Sequence, residues 1–152
     1  MRLTLYTDYS LRVLMFLSYR RSALGNTLGS EWVSTEEMSS FYGISKNHLV
    51  KVVNHLGHLK FVVIKRGRSG GVKLARDPSQ INLADVVQAS EPDFYLTECF
   101  DVKTNVCVIT PSCALKTVLK RAHQSFIQTL GTATLADVTT KSKSHHLGKR
   151  AQ

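Results

Sequence analysis

Cys99, Cys107 and Cys113 are the only cysteines in the chain, and they fall within fifteen residues at a spacing of C-x7-C-x5-C. Thiolate is a soft ligand, so this triplet suits zinc or an iron–sulfur cluster, yet both are closed by four ligands. One donor is missing. Structural zinc sites usually show C-x2-4-C pairs, which are absent here, and the wide, irregular spacing suits an iron–sulfur cluster better. Spacing alone leaves both open. Cys113 is expected in the first turn of a helix begun by Thr110 and Pro111, where the helix dipole and free amides favour a thiolate. Three incidental core thiols are the plain alternative, but clustering in one polar loop argues against it. An odd cysteine count with no visible export signal argues against a disulfide framework and for the reducing cytoplasm.

Cationic side chains form the second chemical set. Residues 1–76 hold 12 Lys and Arg against 4 Asp and Glu, residues 77–140 hold 4 against 7, and the tail from 141 adds four more cations. A basic half joined to a mildly acidic half points to a polyanion partner. No apolar run is long enough to span a bilayer, so no membrane partner is expected. Nor does the chain carry a nucleophile elbow, paired-carboxylate motif or phosphate-binding loop, so an enzyme is not expected. The histidines fit ordinary roles: His55 and His58 a solvated helix end, His123 a packed and hydrogen-bonded position, His145 and His146 a polar tail.

These groups must be positioned by elements legible in the chain. Leu11, Leu14 and Met15 mark a helix from Thr7 to about Tyr19, capped by Thr7 or Asp8, with Asp8 and Arg12 four apart on one face. A loop over 22–30 follows. Ser34 and Glu37 form a capping-box signature for a short helix through Met38, Phe41 and Tyr42, closed by Gly43. Ser45 opens the next helix, whose apolar stripe is Leu49, Val52, Val53 and Leu56. Its other face carries Lys46, Asn47, Lys51, Asn54 and His55. Phe61–Ile64 and Val72–Leu74 read as paired strands around the basic, glycine-rich turn 65–71. Asn82 caps a short helix ending before Pro92. The cysteine loop spans about 93–112, and the helix after it carries a seam of Leu115, Val118, Leu119, Ala122, Phe126, Ile127 and Leu130. A last turn over Thr134–Val138 precedes a basic tail, residues 140–152, expected to be flexible.

Two short helices joined at Gly43 and followed by a hairpin make a winged helix-turn-helix, in a chain that is mainly α with a small β-hairpin wing. The second helix packs one side and leaves donors free for the major groove, while Arg66 and Arg68 at the hairpin tip suit phosphates or the minor groove. The expected contact set to double-stranded DNA is Ser45, Lys46, Asn47, His48 and Lys51 on the helix, and Arg66, Arg68, Ser69 and Gly70 on the wing.

The segments Met1–Arg12, Gly43–Lys51 and Arg66–Leu74 resemble the nitric-oxide-sensing NsrR repressors, within the winged-helix iron–sulfur regulator family that also contains IscR. The resemblance spans residues 1–139, cysteines included. It implies a homodimeric repressor on a palindromic operator, with residues 1–76 as the DNA-binding domain and 77–139 as cluster-binding loop and dimerisation helix. It further implies a [4Fe–4S] cluster on Cys99, Cys107 and Cys113, with the partner subunit's Asp8 as a weak fourth ligand open to nitric oxide. Arg12 would hold that carboxylate when it is unligated. IscR-like proteins carry a ligating histidine three residues after the third cysteine, a position held here by Lys116, which favours Asp8. A relative sensing redox state or cluster supply through a [2Fe–2S] centre remains open, as does a zinc- or thiol-based DNA-binding regulator.

Overall fold

A computed structural model describes residues 2–23, 32–67 and 70–140. Of the loop expected over 22–30, Ser22 and Ala23 are instead the last residues of the first helix; the rest of that loop, the wing residues Arg68 and Ser69, and the tail from residue 141 with His145 and His146 lie outside the described residues. The first helix, α1 (Leu5–Ala23), begins earlier than its periodicity predicts. Its cap is neither Thr7 nor Asp8: Thr7 donates its amide to Thr4 Oγ1 at 3.2 Å. The Thr4 amide donates to Glu91 Oε1 at 2.7 Å. A carboxylate 87 residues away in sequence therefore sits at the positive end of α1, where it is favourable. Val13, Leu14, Phe16 and Leu17 are all buried, a wider face than the Leu11–Leu14–Met15 stripe. The width follows from position, because α1 packs against helices on several sides.

α2 (Thr35–Tyr42) has the expected cap, with the Glu37 amide donating to Ser34 Oγ at 3.0 Å. The Glu37 carboxylate pairs with Arg20 on α1 at 3.2 Å. Gly43 takes φ 64°, ψ 30°, the left-handed conformation that glycine adopts without strain. α3 (Lys46–His58) buries the predicted Leu49, Val52, Val53 and Leu56. It ends in a Schellman motif: Phe61 donates to Leu56 O at 2.9 Å and Lys60 to Gly57 O at 3.0 Å. The left-handed residue there is Lys60, at φ 60°. A non-glycine in that region costs on the order of 1 kcal/mol.

β1 (Val62–Lys65) and β2 (Gly71–Leu74) are antiparallel with Val62 opposite Leu74 and Lys65 opposite Gly71. An unforeseen third segment joins them. Val33 exchanges backbone hydrogen bonds with Val72 at 3.0 and 2.8 Å, which brings Trp32 beside Gly71. A Cβ on Gly71 would stand 2.9 Å from both Trp32 Cβ and Val33 O, so only glycine fits this approach.

α4 (Leu83–Ser90) is capped by Asn82 as predicted, through the Ala84 amide at 2.8 Å. Thr110–Ser112 forms a separate 3₁₀ turn, so Pro111 does not open the long helix; α5 (Ala114–Gly131) does so after Cys113. α6 (Leu135–Thr140) returns to the core, where Leu135 is buried and donates to Ile81 O at 2.8 Å. Ser18 and Thr139 share a buried hydrogen bond of 2.8 Å, fastening α6 to α1. The core thus runs from Met38, Leu49 and Leu56 through α1 to Val86 and Leu135. No helix among the described residues is long and apolar enough to cross a membrane.

Candidate functional site

The expected contact face of α3 is free. Ser45, Lys46, Asn47, His48 and Lys51 are all exposed, and the Ser45 hydroxyl makes no capping bond. Burial of the opposite stripe turns these donors outward. Lys46 is paired with Glu36 on α2 at 2.5 Å, so a phosphate must compete with a carboxylate for it. On the wing, Arg66 is exposed and Gly70 closes the turn by donating to Gly67 O at 2.9 Å. Two further cations flank Trp32: Lys73 Nζ lies 4.8 Å and Lys65 Nζ 5.9 Å from its ring centroid, within cation–π range. An aromatic beside an alternating basic strand was the available signal for this arrangement.

Asp8 lies on the exposed side of α1 in a bidentate pair with Arg12, at 2.9 Å (Nε–Oδ1) and 2.8 Å (Nη2–Oδ2). The Asp8 hydrogen bond raises the affinity of the Arg12 guanidinium for its proton. Arg12 Cζ stands 5.9 Å from the Tyr42 ring centroid, and the Tyr42 hydroxyl donates to Arg12 O at 3.0 Å. Burial above all pushes the Tyr42 phenol up to about 12. Tyr42 is the last residue of α2, immediately before the Gly43 turn into α3. Asp8 is therefore two contacts from the helix-turn-helix corner.

All three cysteines are free and partly exposed. Cys99 Sγ shares a 3.1 Å hydrogen bond with Thr97 Oγ1, and the Cys107 amide donates to Asn105 Oδ1 at 3.1 Å. Cys113 occupies the N-cap position of α5 rather than its first turn, with φ −76°, ψ 106° and no capping bond from its side chain. Its thiol remains at the positive end of the helix. Three soft donors outside any disulfide fit an iron–sulfur cluster in chemistry. Among the described residues, no group of three or more His, Cys, Asp or Glu stands ready to hold a metal ion, and Asp8 is not brought to the thiols.

The histidines diverge from expectation. His55 is no solvated helix end: its ring packs edge-on against Tyr6 at 5.4 Å, with Nε2 3.3 Å from Ala89 O. His123 packs at a tilt on Phe94, 4.8 Å between centroids, but its buried Nε2 has no hydrogen-bond partner among the described residues. His58 is exposed as expected.

A helix-turn-helix with an exposed donor face, backed by a hairpin wing, defines a DNA-binding transcriptional regulator. The chain belongs to the Rrf2 family, described as an iron-dependent transcriptional regulator, whose family model matches residues 3–141. It is 46% identical over 138 residues to the HTH-type transcriptional regulator NsrR of Bacillus subtilis (strain 168), covering 91% of this chain and 90% of that protein. The NsrR of Bacillus licheniformis is 44% identical over 138 residues, covering 91% and 92%. The fold is shared with T. potens IscR (TM-score 0.71, 19% identity, covering 99% of this chain and 94% of that one). It is shared equally with CymR, the global cysteine regulator of B. subtilis (TM-score 0.71, 20% identity, covering 93% and 98%). Family and relatives are those of a transcriptional regulator of NsrR type, not of an enzyme.

Proposed function

We propose that the protein is a homodimeric repressor that holds an iron–sulfur cluster, favoured as [4Fe–4S], and releases its palindromic operator in response to nitric oxide. Cys99, Cys107 and Cys113 would hold the cluster, with the partner subunit's Asp8 as fourth donor. The bound group would supply iron that reacts with nitric oxide, since a carboxylate is a poor ligand for a soft centre and leaves one corner weak. The observation that carries this reading is the Asp8–Arg12–Tyr42 chain of contacts. An Asp8 drawn towards a partner's thiolate loop leaves Arg12; an Asp8 released from that loop regains its bidentate pair. Either change acts next to Tyr42 and the Gly43 turn. Two recognition helices must stay about one DNA turn apart to bind both half-sites, so a small reorientation suffices. Lys51, Lys46, Asn47, Ser45 and His48 serve the major groove, and Arg66, Arg68, Ser69 and Gly70 the backbone beside it.

The test is an anaerobic preparation assayed for iron, acid-labile sulfide and operator binding by band shift, with and without nitric oxide. Equal iron and sulfide, with binding lost on nitric oxide treatment, is the expected result. Cys113→Ser should lose both the chromophore and specific binding, whereas Lys51→Ala should weaken binding and keep the colour. A colourless protein with one zinc per chain, or treated protein that still binds, overturns the reading.

A further inference from the structure

The end of α3 and the start of the wing enclose an open hollow of about 430 Å³, lined by Asn54, His58, Lys60 and Arg66 over a floor that includes Val62 and Ile64. Among the described residues no carboxylate lines it. Its polar wall continues the exposed face of α3: Asn47, Lys51, Asn54 and His58 stand at offsets 0, 4, 7 and 11, one stripe of a helix, and all are exposed. The exposed stripe thus leads from the expected recognition face to this hollow.

Lys60 is the residue that needs explaining. It sits at the left-handed closing position of the Schellman motif with φ 60°, where glycine is the relaxed choice. A cation near a helix C-terminus gains something from the dipole, but a lysine one turn earlier would gain the same without backbone strain. What this position offers is a stem rooted in the lining of the hollow that Arg66 also lines. Strain held at one residue is a pointer to function.

We propose that this hollow is a subsite for a DNA backbone phosphate, with Lys60 as its principal cation and Arg66, His58 and Asn54 as its other donors. The proposal rests on the DNA-binding reading and adds a sequence-independent anchor between recognition helix and wing. A phosphate there fixes the duplex against α3 without reading a base.

Because a phosphate contact is blind to sequence, the full-length protein can be tested on a mixed-sequence DNA duplex, alongside Lys60→Gly, Lys60→Gln and, as a charge control, Lys103→Gln in the cysteine loop. Lys60→Gly should melt about 2 °C or more above the wild type, because the strain is gone. It should nonetheless bind the duplex about 3- to 10-fold more weakly at low salt, and its log K against log salt slope should be shallower by about 1. Lys60→Gln should show the same loss of affinity and slope without the gain in melting temperature. Lys103→Gln should change neither. If Lys60→Gly is more stable but binds with wild-type affinity and slope, Lys60 is only a cap and the subsite falls while DNA binding stands. Equal weakening by Lys103→Gln reduces the effect to net charge and also overturns it. If the wild-type protein ignores the duplex, both readings fall together.

Discussion

Tyr42 joins three environments: the guanidinium of Arg12 beside its ring, the Arg12 carbonyl accepting from its hydroxyl, and the aromatic pair Phe16 and Phe41 at 6.0 and 4.8 Å. Its phenol is raised from 10.0 to about 12, chiefly by burial. The folded state therefore holds this proton more tightly than the unfolded chain. Stability from this group is complete below pH 10, and it is lost as pH climbs through about 12. Tyr42→Phe should flatten that alkaline limb in a circular-dichroism titration; identical limbs would assign it to another group. Single residues were legible where the cause was local. Ser34, Gly43 and Asn82 announced themselves because caps act over three residues. Glu91 at Thr4 did not, since 87 residues separate them and no periodicity records a tertiary cap. Lys60 gave no signal, because its strain lies in φ, not in residue type.

At the scale of elements, the wing shows what strand patterning can and cannot reveal. The β-branched runs and the glycine-rich turn made the hairpin readable. The Val33 bridge was not readable, because one residue opposite Val72 has no alternation to detect. That bridge nevertheless dictates Gly71. In Gly71→Ala the new methyl meets Trp32 Cβ and the Val33 carbonyl, and backbone cannot yield as a side-chain tip does. We expect a loss of about 1–3 kcal/mol in urea unfolding; a neutral result would mean that the 32–33 segment lifts away at little cost. Thr110 and Pro111 carried a genuine turn-starting signal, answered by a 3₁₀ turn instead of α5. Cys113 was displaced by that difference to the cap position, still at the helix N-terminus.

For the whole molecule the asymmetry of burial matters most. α5 has no buried residue, and Leu115 and Val118 are 63% and 58% exposed, beside a cysteine loop with Val102 and Val108 above 90%. Each branched side chain fully buried contributes about 1.5–3 kcal/mol, so covering this surface is favourable, and the proposed homodimer would cover it. Leu115→Glu with Val118→Glu should shift the sedimenting species from dimer to monomer with helix content unchanged. A dimer that survives would place the contact elsewhere. The seam was legible as periodicity; its exposure was not, because an apolar stripe looks the same facing a core or a partner.

Trp32 is the only tryptophan in the chain, and the ammonium groups of Lys73 and Lys65 stand 4.8 and 5.9 Å from its ring centroid. The wing therefore carries the molecule's sole long-wavelength emitter, with two charges set close enough to tune its excited state. A lysine drawn from the neutral indole to a phosphate changes the local field, so the emission should respond to such a contact. The protein thus has a label-free optical gauge beside its wing, separate from any absorbance at the thiol loop, and the two signals can be timed against each other in one cuvette.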